Sequence, residues 1–417
     1  MRLLVVSQYF WPENFRINDL VAELVARGHA VTVLTGVPNY PQGTVLPQYQ
    51  ARPGDFVQHA GAQVVRVPML PRGRGAVRLV LNYLSFALSA SVFGPWKLRG
   101  RAFDAILAYE PSPITVGLPA AALRALKRAP LAFWVLDLWP ETLHAIGVVR
   151  SPRVLGMVGR LVRFIYRRCD LILAQSRSFI PQIRRYADAG TPVEYFPNWA
   201  EALFTDAGTV RAPEVPLRPG SFDVMFAGNV GDAQDFPAIL DAAERLRSHR
   251  HIRWLIVGDG RMSGWVSAEV ARRGLQEQVL LLGRFPVDRM PSFFLHAGAL
   301  LVSLRKEPIF AMTIPGKLQS YLAAGIPVLA MLDGEGADLV HASACGLACP
   351  AGDSAALADA VLALAAIPAQ ERQAMGDNGR RTSAREFDRA MLIDQIEGRL
   401  QALAGAGRQA LAGRSAP

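Results

Sequence analysis

Residues 2–34 read RLLVVSQYFWPENFRINDLVAELVARGHAVTVL, and this stretch decides the fold. Residues 2–7 form an apolar run of strand length, which is typical of a strand buried on both faces of a parallel sheet. After a loop, residues 17–27 carry apolar side chains at helical spacing and end before Gly28, a residue that favours a helix C-terminus. Residues 30–34 are again strand-like. The stretch therefore predicts a β-α-β unit.

The same alternation continues along the chain and restarts once, after a polar, proline-rich segment. We therefore predict an α/β protein with two doubly wound, Rossmann-like parallel-sheet domains that face a cleft. Ligands of such sheets bind at the carboxyl ends of the strands. The predicted parts are a first domain (1–197), a linker (198–220), a second domain (221–383), a crossover helix (384–404) and a flexible tail (405–417). Further strands are predicted at 63–67, 105–109, 132–136, 171–174, 223–227, 254–257, 279–282, 299–303 and 327–330.

The composition limits the possible partners. The chain has 45 Lys and Arg against 35 Asp and Glu, a formal net charge of +10, which favours anionic ligands. The arginines are scattered and no nucleic-acid-binding motif is present, so we expect no nucleic-acid partner. Cys169, Cys345 and Cys349 lack metal-ligand spacing, so we expect no metal or other cofactor and a reducing, cytoplasmic environment. The N-terminus is interpreted as a strand rather than a secretion signal.

Two glycine loops are predicted to follow strands of the second domain. The first contains Gly228, Asn229 and Gly231, and the second contains Gly258 and Gly260. Glycine lets a backbone approach a diphosphate closely, and the following helix N-terminus offers amide donors. Tight strand-to-helix turns need glycine without any ligand, so both interpretations stay open at this point.

Residues 307–329, EPIFAMTIPGKLQSYLAAGIPVL, carry the most specific pattern in the sequence. Pro315 and Gly316 are predicted to open a helix that Gly325 ends, with Lys317 in the first turn. A lysine there opposes the helix dipole, unless an anion is bound between its ammonium and the free backbone amides. The alternative is a solvated lysine at an ordinary helix start.

This segment, the two glycine loops and the final helix resemble the retaining glycosyltransferases of family 4, the group 1 kind, which have the GT-B architecture. Residues 8–43 and Asp137-Leu138-Trp139-Pro140-Glu141 are similar to the WbuB/WcaI-like transferases of bacterial surface-polysaccharide assembly. The resemblance implies a nucleoside diphosphate sugar donor, with UDP and an N-acetylated amino sugar expected. It also implies a lipid-linked acceptor in O-antigen, capsule or exopolysaccharide synthesis, and transfer with retention.

The sequence departs from the family pattern at the donor site. The family's two glutamates fall on Met312 and Ser320, and its phosphate-binding Arg and Lys fall on Asn229 and Gln234. A leaving diphosphate develops negative charge, so we expect Lys317, with Arg305, to replace the missing cations. Glu307 lies nearby as a replacement carboxylate. The complete donor-binding set is Gly228, Asn229, Gly231, Gln234, Gly258, Gly260, Arg284, Arg305, Glu307 and Ser320.

In the first domain, Asp137 is the candidate catalytic residue beside Lys317. It has the chemistry to hydrogen-bond a sugar hydroxyl or to stabilise positive charge on the reacting carbon, and equally to cap the helix predicted after it. The loops expected to face the cleft contain Glu13, Asn14, Arg16 and Glu110.

A membrane-associating segment is predicted at 72–101. Its central residues 79–96 contain no charged side chain and are flanked by arginines and Lys97, and residues 155–168 add a second basic amphipathic stretch. This favours an interfacial helix on anionic lipid over a spanning or buried helix, and a peripheral location on the inner face of the plasma membrane. A polyprenyl-diphosphate-linked acceptor would explain both stretches.

Two other functions remain open from the sequence. A non-hydrolysing UDP-sugar epimerase would share the fold, although the cleft loops offer few acidic or histidine residues for proton abstraction. A non-catalytic nucleotide-sugar-binding protein is the other alternative, because the family's glutamate pair is missing.

Overall fold

The computed structural model describes residues 1–73, 75–145, 147, 149, 151–205 and 210–414. The chain divides into two compact units. The first unit consists of Met1–Pro197 and Ala390–Pro417, and the second is Asn198–Arg389. Each unit contains one sheet with helices on both faces, which confirms the predicted α/β class.

The first unit is built on an eight-stranded sheet with the order β3-β4-β2-β1-β5-β6-β7-β8. Every pairing is parallel except that of β3 with β4. The central strands are buried on both faces, as their continuous apolar runs predict. The strands are β1 (Arg2–Ser7), β2 (Ala30–Thr35), β3 (Gln58–His59), β4 (Ala62–Arg66), β5 (Ala105–Glu110), β6 (Leu131–Val135), β7 (Leu171–Ala174) and β8 (Val193–Tyr195).

Within the described residues, seven helices of the first unit precede the second unit in the chain. Helix α1 ends at Ala26, and Gly28, which follows it closely, has a φ of 84° in the left-handed region that favours glycine. Short 3₁₀ helices lie at Pro53–Phe56 and Ile114–Val116. The helices are α1 (Arg16–Ala26), α2 (Pro47–Ala51), α3 (Ala76–Lys97), α4 (Gly117–Lys127), α5 (Glu141–Ala145), α6 (Pro152–Tyr166) and α7 (Phe179–Arg184).

The second unit contains a six-stranded parallel sheet with the order β11-β10-β9-β12-β13-β14. Its strands are β9 (Phe222–Ala227), β10 (Ile252–Val257), β11 (Val279–Gly283), β12 (Ala299–Ser303), β13 (Val328–Met331) and β14 (Gly346–Cys349). The helices are α8 (Phe236–Arg245), α9 (Ser263–Arg272), α10 (Met290–Phe294), α11 (Pro308–Ala311), α12 (Gly316–Ala324), α13 (Glu335–Ser343), α14 (Ser354–Ala366) and α15 (Ala369–Glu386). Three short 3₁₀ helices lie at Ala202–Phe204, Asp232–Gln234 and Val287–Arg289.

The segment predicted as a linker, 198–220, is packed into the second unit. Phe204, Ala212 and Val215 are buried in the same apolar cluster as strand β9 and helix α12. The ring of Phe204 stacks on Phe294 at a centroid distance of 5.5 Å. The described part of the segment predicted as a domain linker therefore belongs to the second unit, and residues 206–209 lie outside the described residues.

The predicted crossover helix 384–404 is in fact two helices. Helix α15 ends at Glu386, and α16 runs over Arg389–Arg414 as part of the first unit. The flexible tail predicted from 405 is wrong as far as Arg414, because the helix continues; residues 415–417 lie outside the described residues. Leu400 and Ile396 are buried, and Glu397 accepts a hydrogen bond from Arg27 at 2.8 Å.

Helix α3 occupies most of the segment predicted to contact a membrane, of which residue 74 lies outside the described residues. The helix is long and apolar enough to cross a bilayer. One of its faces is nevertheless packed inside the first unit. Asn82 is buried, accepts a hydrogen bond from the Gln8 amide at 2.8 Å and donates one to the Leu70 carbonyl at 2.6 Å. The opposite face exposes apolar side chains, among them Val77, Leu84, Leu88, Val92 and Trp96.

Candidate functional site

The two glycine loops of the second unit lie against each other at the carboxyl ends of β9 and β10. The Val230 amide donates to the Asp259 carbonyl at 3.0 Å, and the Met262 amide donates to the Val230 carbonyl at 3.0 Å. A Cβ atom on Gly258 would collide with the Gly228 backbone, and one on Gly260 with the Val230 backbone. The contact between the loops is therefore sufficient to require glycine at 258 and 260.

At Gly228, a Cβ atom would instead meet the side chain of Lys317. A Cβ atom on Gly228 would lie 2.6 Å from Lys317 Cε. As predicted, Lys317 is in the first turn of α12, which begins at Gly316 and ends at Ala324, followed by Gly325 with a φ of 69°. The glycine therefore leaves room for a lysine that lies beside the loop and at a helix N-terminus.

The ammonium group of Lys317 is buried, although part of its side chain is exposed. Its Nζ atom lies 3.6 Å from the ring centroid of Phe226 and has no hydrogen-bond partner among the described residues. Burial lowers the pKa of Lys317 to about 7. A buried cation without a counter-ion is unfavourable by itself, so an anion bound at this site would stabilise the ammonium form of Lys317.

The other polar groups predicted here have different environments. The side-chain oxygen Oε1 of Gln234 accepts a hydrogen bond from the Gly231 amide at 3.1 Å, so this side chain stabilises the first glycine loop. The side chain of Asn229 is exposed. The backbone amide of Arg305 is bonded to the Ala233 carbonyl at 2.9 Å. The buried Nε atom of Arg305 has no partner in the described parts of the chain. Arg305 is therefore a second cation with an unused donor, next to the first glycine loop.

Arg284 and Glu307 lie at the edges of this region. Arg284 is exposed and follows β11. Hydrogen bonds from Ser263 and Gly260 lower the pKa of Asp259, and the charge of Arg284 lowers it further. Glu307 immediately precedes α11, and no described residue hydrogen-bonds its carboxylate. Glu307 therefore lies close to α12 in the sequence, and its carboxylate has no hydrogen bond to the described residues that would give it a structural role.

Ser320 has a carboxylate partner that the sequence does not suggest. Its hydroxyl donates to Glu201 Oε2 at 2.8 Å and to the Gly316 carbonyl at 3.3 Å. The family's second glutamate falls on Ser320, and here a carboxylate from Glu201 is brought to the same position. Sequence reasoning missed Glu201 because it lies 119 residues away, in a segment interpreted as a linker.

Asp137 follows strand β6 in the first unit and is held from several sides. Its Oδ1 accepts the Thr142 hydroxyl at 2.5 Å, its Oδ2 accepts Trp139 Nε1 at 3.1 Å, and Ser112 adds a further hydrogen bond. Burial raises the pKa of Asp137 to about 6 against these bonds. Through the Thr142 hydroxyl, the carboxylate is bonded to the first turn of α5, which supports the capping interpretation. The raised pKa supports the catalytic interpretation, so both stay open.

Glu110 lies beside Asp137 and is fully buried. Its Oε2 accepts the Asp137 amide at 3.4 Å, and its Oε1 has no partner among the described residues. Burial, and secondarily the charge of Asp137, raise the pKa of Glu110 well above its ordinary value. Of the two neighbouring carboxyls, Glu110 is thus the one whose charged form burial disfavours more strongly.

Glu13 is buried and its carboxylate is bonded to the backbone of its own unit, which favours a structural role over the cleft-facing one predicted for it. Its carboxylate accepts the amides of Asn39 and Tyr40 at 2.7 Å each and that of Phe10 at 3.2 Å. These bonds tie the loop after β1 to the loop after β2, while burial raises the pKa of Glu13 to about 7. Glu13 is thus a structural carboxylate.

The last two residues predicted on this loop differ from each other. Asn14 is exposed, and Arg16 begins α1 close to the buried Tyr109. Burial raises the pKa of Tyr109, and the charge of Arg16 opposes that rise.

No group of three or more His, Cys, Asp or Glu side chains that could hold a metal ion occurs within the described residues.

Comparisons with known proteins identify the family of both units. A model of the glycosyl transferase 4-like domain matches residues 14–199, and a model of the group 1 glycosyl transferases matches residues 221–366. Together these two models span most of the chain. The putative colanic acid biosynthesis glycosyl transferase WcaI of Escherichia coli (strain K12) is 27% identical over 344 residues, which is 78% of this chain and 82% of WcaI.

Solved structures share the fold across both units. HepE (Alr3699) from Anabaena, in complex with UDP, has a TM-score of 0.70 at 16% identity and covers 96% of this chain and 100% of its own. Sucrose-phosphate synthase from Thermosynechococcus elongatus has a TM-score of 0.70 at 16% identity, with 97% and 99% covered. The chain therefore belongs to the group 1 glycosyl transferases of family 4, with the GT-B architecture of two Rossmann-like domains.

Proposed function

We propose that this glycosyltransferase binds the diphosphate of a nucleotide sugar at Lys317 and the first glycine loop. The observation that carries the proposal is the buried ammonium group without a counter-ion, 3.6 Å from the ring centroid of Phe226. The N-terminus of α12 adds free backbone amides, and Arg305 offers an unused donor. Such cations stabilise the charge that develops on a leaving nucleoside diphosphate.

UDP is the nucleotide we propose, with an N-acetylated amino sugar as the transferred group. Support for UDP comes from the structural relative HepE, which is described in complexes with UDP and with UDP-glucose. The name of WcaI supports a role in the synthesis of a bacterial surface polysaccharide. The proposed acceptor is a saccharide on a polyprenyl diphosphate, and the proposed outcome is retention. The proposal needs neither a metal ion nor an organic cofactor.

Glu201 and Ser320 together are proposed to bind the ribose of the donor. A carboxylate accepts hydrogen bonds from two neighbouring hydroxyls, whereas a serine alone offers one weak partner. The hydrogen bond of 2.8 Å between Ser320 and Glu201 fixes one carboxylate oxygen at this position. Its geometry supports Glu201 as the replacement for the carboxylate absent from position 320.

Asp137 is proposed to act on the sugar, either by binding a hydroxyl or by stabilising positive charge on the reacting carbon. With a pKa of about 6, Asp137 is mainly an anion at neutral pH, while burial raises the pKa of the neighbouring Glu110 well above its ordinary value. Asp137 is thus the carboxyl of this pair that ionises more readily. That arrangement suits a single electrostatic contact with the substrate.

Peripheral association with the cytoplasmic face of the plasma membrane completes the proposal. On α3, the side chains of Leu88 and Trp96 are 69% and 59% exposed. The guanidinium of Arg99 lies 5.3 Å from the Trp96 ring centroid, where it is suited to meet anionic lipid headgroups. Sedimentation with phosphatidylglycerol vesicles tests this, and absence of binding at low salt would contradict it.

The diphosphate site is tested by calorimetry of UDP binding to Lys317→Met. Since the ammonium is the proposed counter-ion, we expect affinity to fall about tenfold or more, the loss of one charge-assisted contact. The exposed Lys306→Met is the matched control and should bind as the unchanged protein does. Turnover is then measured with a panel of nucleotide sugars and membrane extract. Binding of UDP without transfer to any acceptor would favour a non-catalytic binding protein instead.

A further inference from the structure

An apolar groove lies on the first unit between helices α3 and α4 and the C-terminal end of α6. Its volume is about 580 Å³, within the range of small-molecule binding sites. Leu84 and Leu88 of α3 and Phe164 of α6 line it, opposite Ala122 and Ala125 of α4. The small alanine side chains leave the space open. None of these residues belongs to the site at Lys317 or to the carboxyl pair of Glu110 and Asp137, while Leu84 and Leu88 are also part of the exposed apolar face of α3.

One cation, Arg168, lines the groove among these apolar residues. Its guanidinium lies 3.5 Å from the ring centroid of Phe164, and Nη1 donates to the Phe164 carbonyl at 2.8 Å. In the described parts of the chain, no carboxylate forms an ion pair with it. Two other arginines of the first unit are paired, Arg167 with Asp188 at 2.9 Å and Arg124 with Asp170 at 2.6 Å. Arg168 therefore keeps donors available for an anion of planar or phosphate type.

The groove opens on the apolar face of α3. Leu84 and Leu88 line the groove and are also 53% and 69% exposed, and Leu126 of α4 is 63% exposed. Exposed apolar surface that continues into an apolar groove marks a binding site for an apolar partner. A groove lined by hydrocarbon with an arginine among its lining residues is complementary to a hydrocarbon chain that carries a phosphate.

We infer that the groove binds the single hydrocarbon chain of a polyprenyl phosphate or diphosphate, and that Arg168 contacts its phosphate. The apolar lining is complementary to the hydrocarbon chain, and Arg168, which has no carboxylate partner among the described residues, is complementary to the phosphate at its end. That this lipid carries the acceptor saccharide rests on the proposed function. That the groove binds the lipid rests on the groove and Arg168.

The test is sedimentation of the full chain with phosphatidylcholine vesicles that contain either polyprenyl phosphate or an equal charge of phosphatidylglycerol. We expect about tenfold tighter binding to the polyprenyl vesicles. Ala122→Phe fills the groove and should abolish that preference. Val92→Phe, on the exposed face of α3 but outside the groove, should keep it.

Arg168→Gln provides a second variant, which removes the cation of the groove and adds no bulk to it. It should reduce the preference for polyprenyl phosphate several-fold, whereas Arg160→Gln, the same change of charge at an exposed position of α6, should not. Equal binding to both kinds of vesicle would overturn the inference, as would a preference that survives Ala122→Phe. A concentration-dependent dimer abolished by Ala122→Phe, without lipid preference, would assign the groove to a second copy of the chain and also overturn it.

UDP calorimetry on the same proteins separates this inference from the proposed function. Ala122→Phe and Arg168→Gln should bind UDP as the unchanged protein does, because Lys317 lies in the other unit. If the unchanged protein binds polyprenyl phosphate but not UDP, the donor proposal fails and the groove assignment stands.

Discussion

At the scale of single residues, Lys317 shows how burial adjusts a charge for a ligand. Its pKa of about 7 means that the free protein holds a mixture of ammonium and amine near neutral pH. Because a bound diphosphate favours the ammonium form, UDP binding should take up a proton at pH 8, and affinity should fall as the pH rises above 7. Calorimetry in buffers of different ionisation enthalpy measures the uptake, and it should disappear in Lys317→Met.

The same pKa shift has a consequence for stability. An unfolded Lys317 has the ordinary pKa of 10.5, so between pH 7 and pH 10.5 the unfolded chain binds more protons than the folded one. The contribution of Lys317 to the free energy of unfolding therefore rises with pH over this range. In Lys317→Met, the stability of the second unit should lose this pH dependence without falling, since the variant removes a buried charge.

Asp137 is the second residue with a testable charge. Since burial raises its pKa to about 6, transfer activity should rise with pH through that value as the carboxylate forms. Asp137→Asn keeps the size of the side chain and should lower kcat about 10²-fold, a loss typical of one electrostatic contact in a transition state. The rise near pH 6 should vanish in the variant. If Asp137 only holds α5, the pH profile will stay as it was while the thermal stability falls.

Glu110 is the matched control for Asp137. Because burial raises the pKa of Glu110 well above its ordinary value, we assign the rise near pH 6 to Asp137, and Glu110→Gln should leave that rise in place. A profile that follows Glu110 instead would reverse the assignment of the two carboxyls.

At the scale of elements, the two glycine loops form one structure, and this separates their glycines from others in the unit. Gly258 has a φ of 147° and no room for a Cβ against Gly228, so Gly258→Ala should destabilise the second unit by about 2 kcal/mol or more. In α9, a Cβ atom added at Gly264 would have no neighbouring atom within 4 Å, so Gly264→Ala should stabilise by about 0.5–1 kcal/mol. Urea denaturation measures both, and equal effects would contradict the assignment.

The elements that the sequence predicts well are those with strong local patterns. Strands β1, β5, β6 and β12 have continuous apolar runs, and α12 has Pro315 before it and Gly325 after it. Strand β14, of sequence Gly-Leu-Ala-Cys, is not predicted because it has no β-branched residue and begins with glycine. Its place in the sheet depends on pairing with β13, which no local pattern encodes.

The candidate site is predictable only where one element carries it. Lys317 is identified by its position in a helix start, and Asp137 by its position after a strand. The contact of Glu201 with Ser320 joins residues 119 positions apart, and the pairing of Glu110 with Asp137 depends on the neighbouring order of β5 and β6. Such contacts follow from the tertiary fold, and one sequence does not determine them.

At the scale of the whole molecule, the first unit is assembled from two separate parts of the chain. Helix α16 buries Leu392, Ile396 and Leu400 and is tied to the first unit by Arg27 with Glu397 and by Arg399 with Glu194 at 2.7 Å. Leu400→Ala should therefore destabilise the first unit by about 2–5 kcal/mol. Ala402→Ser, at an exposed position of the same helix, should change its stability by less than about 0.5 kcal/mol.

Hydrogen exchange read by mass spectrometry locates the effect of Leu400→Ala. Peptides from β1, β2 and α1 should lose protection, while those from β9 to β13 should keep it. Loss of protection throughout the second unit as well would show that α16 stabilises both units.

The division of the first unit also sets an order of events on the ribosome. Strands β1 to β8 are translated first, yet the helix that carries Ile396 and Leu400 emerges only after the entire second unit. The second unit is contiguous, so it has all of its sheet as soon as β14 has left the exit tunnel. The nascent first unit meanwhile lacks α16 for the time needed to translate roughly 190 residues, on the order of 10–40 s at bacterial rates. During that interval the apolar surface that α16 later covers is available for a chaperone to bind.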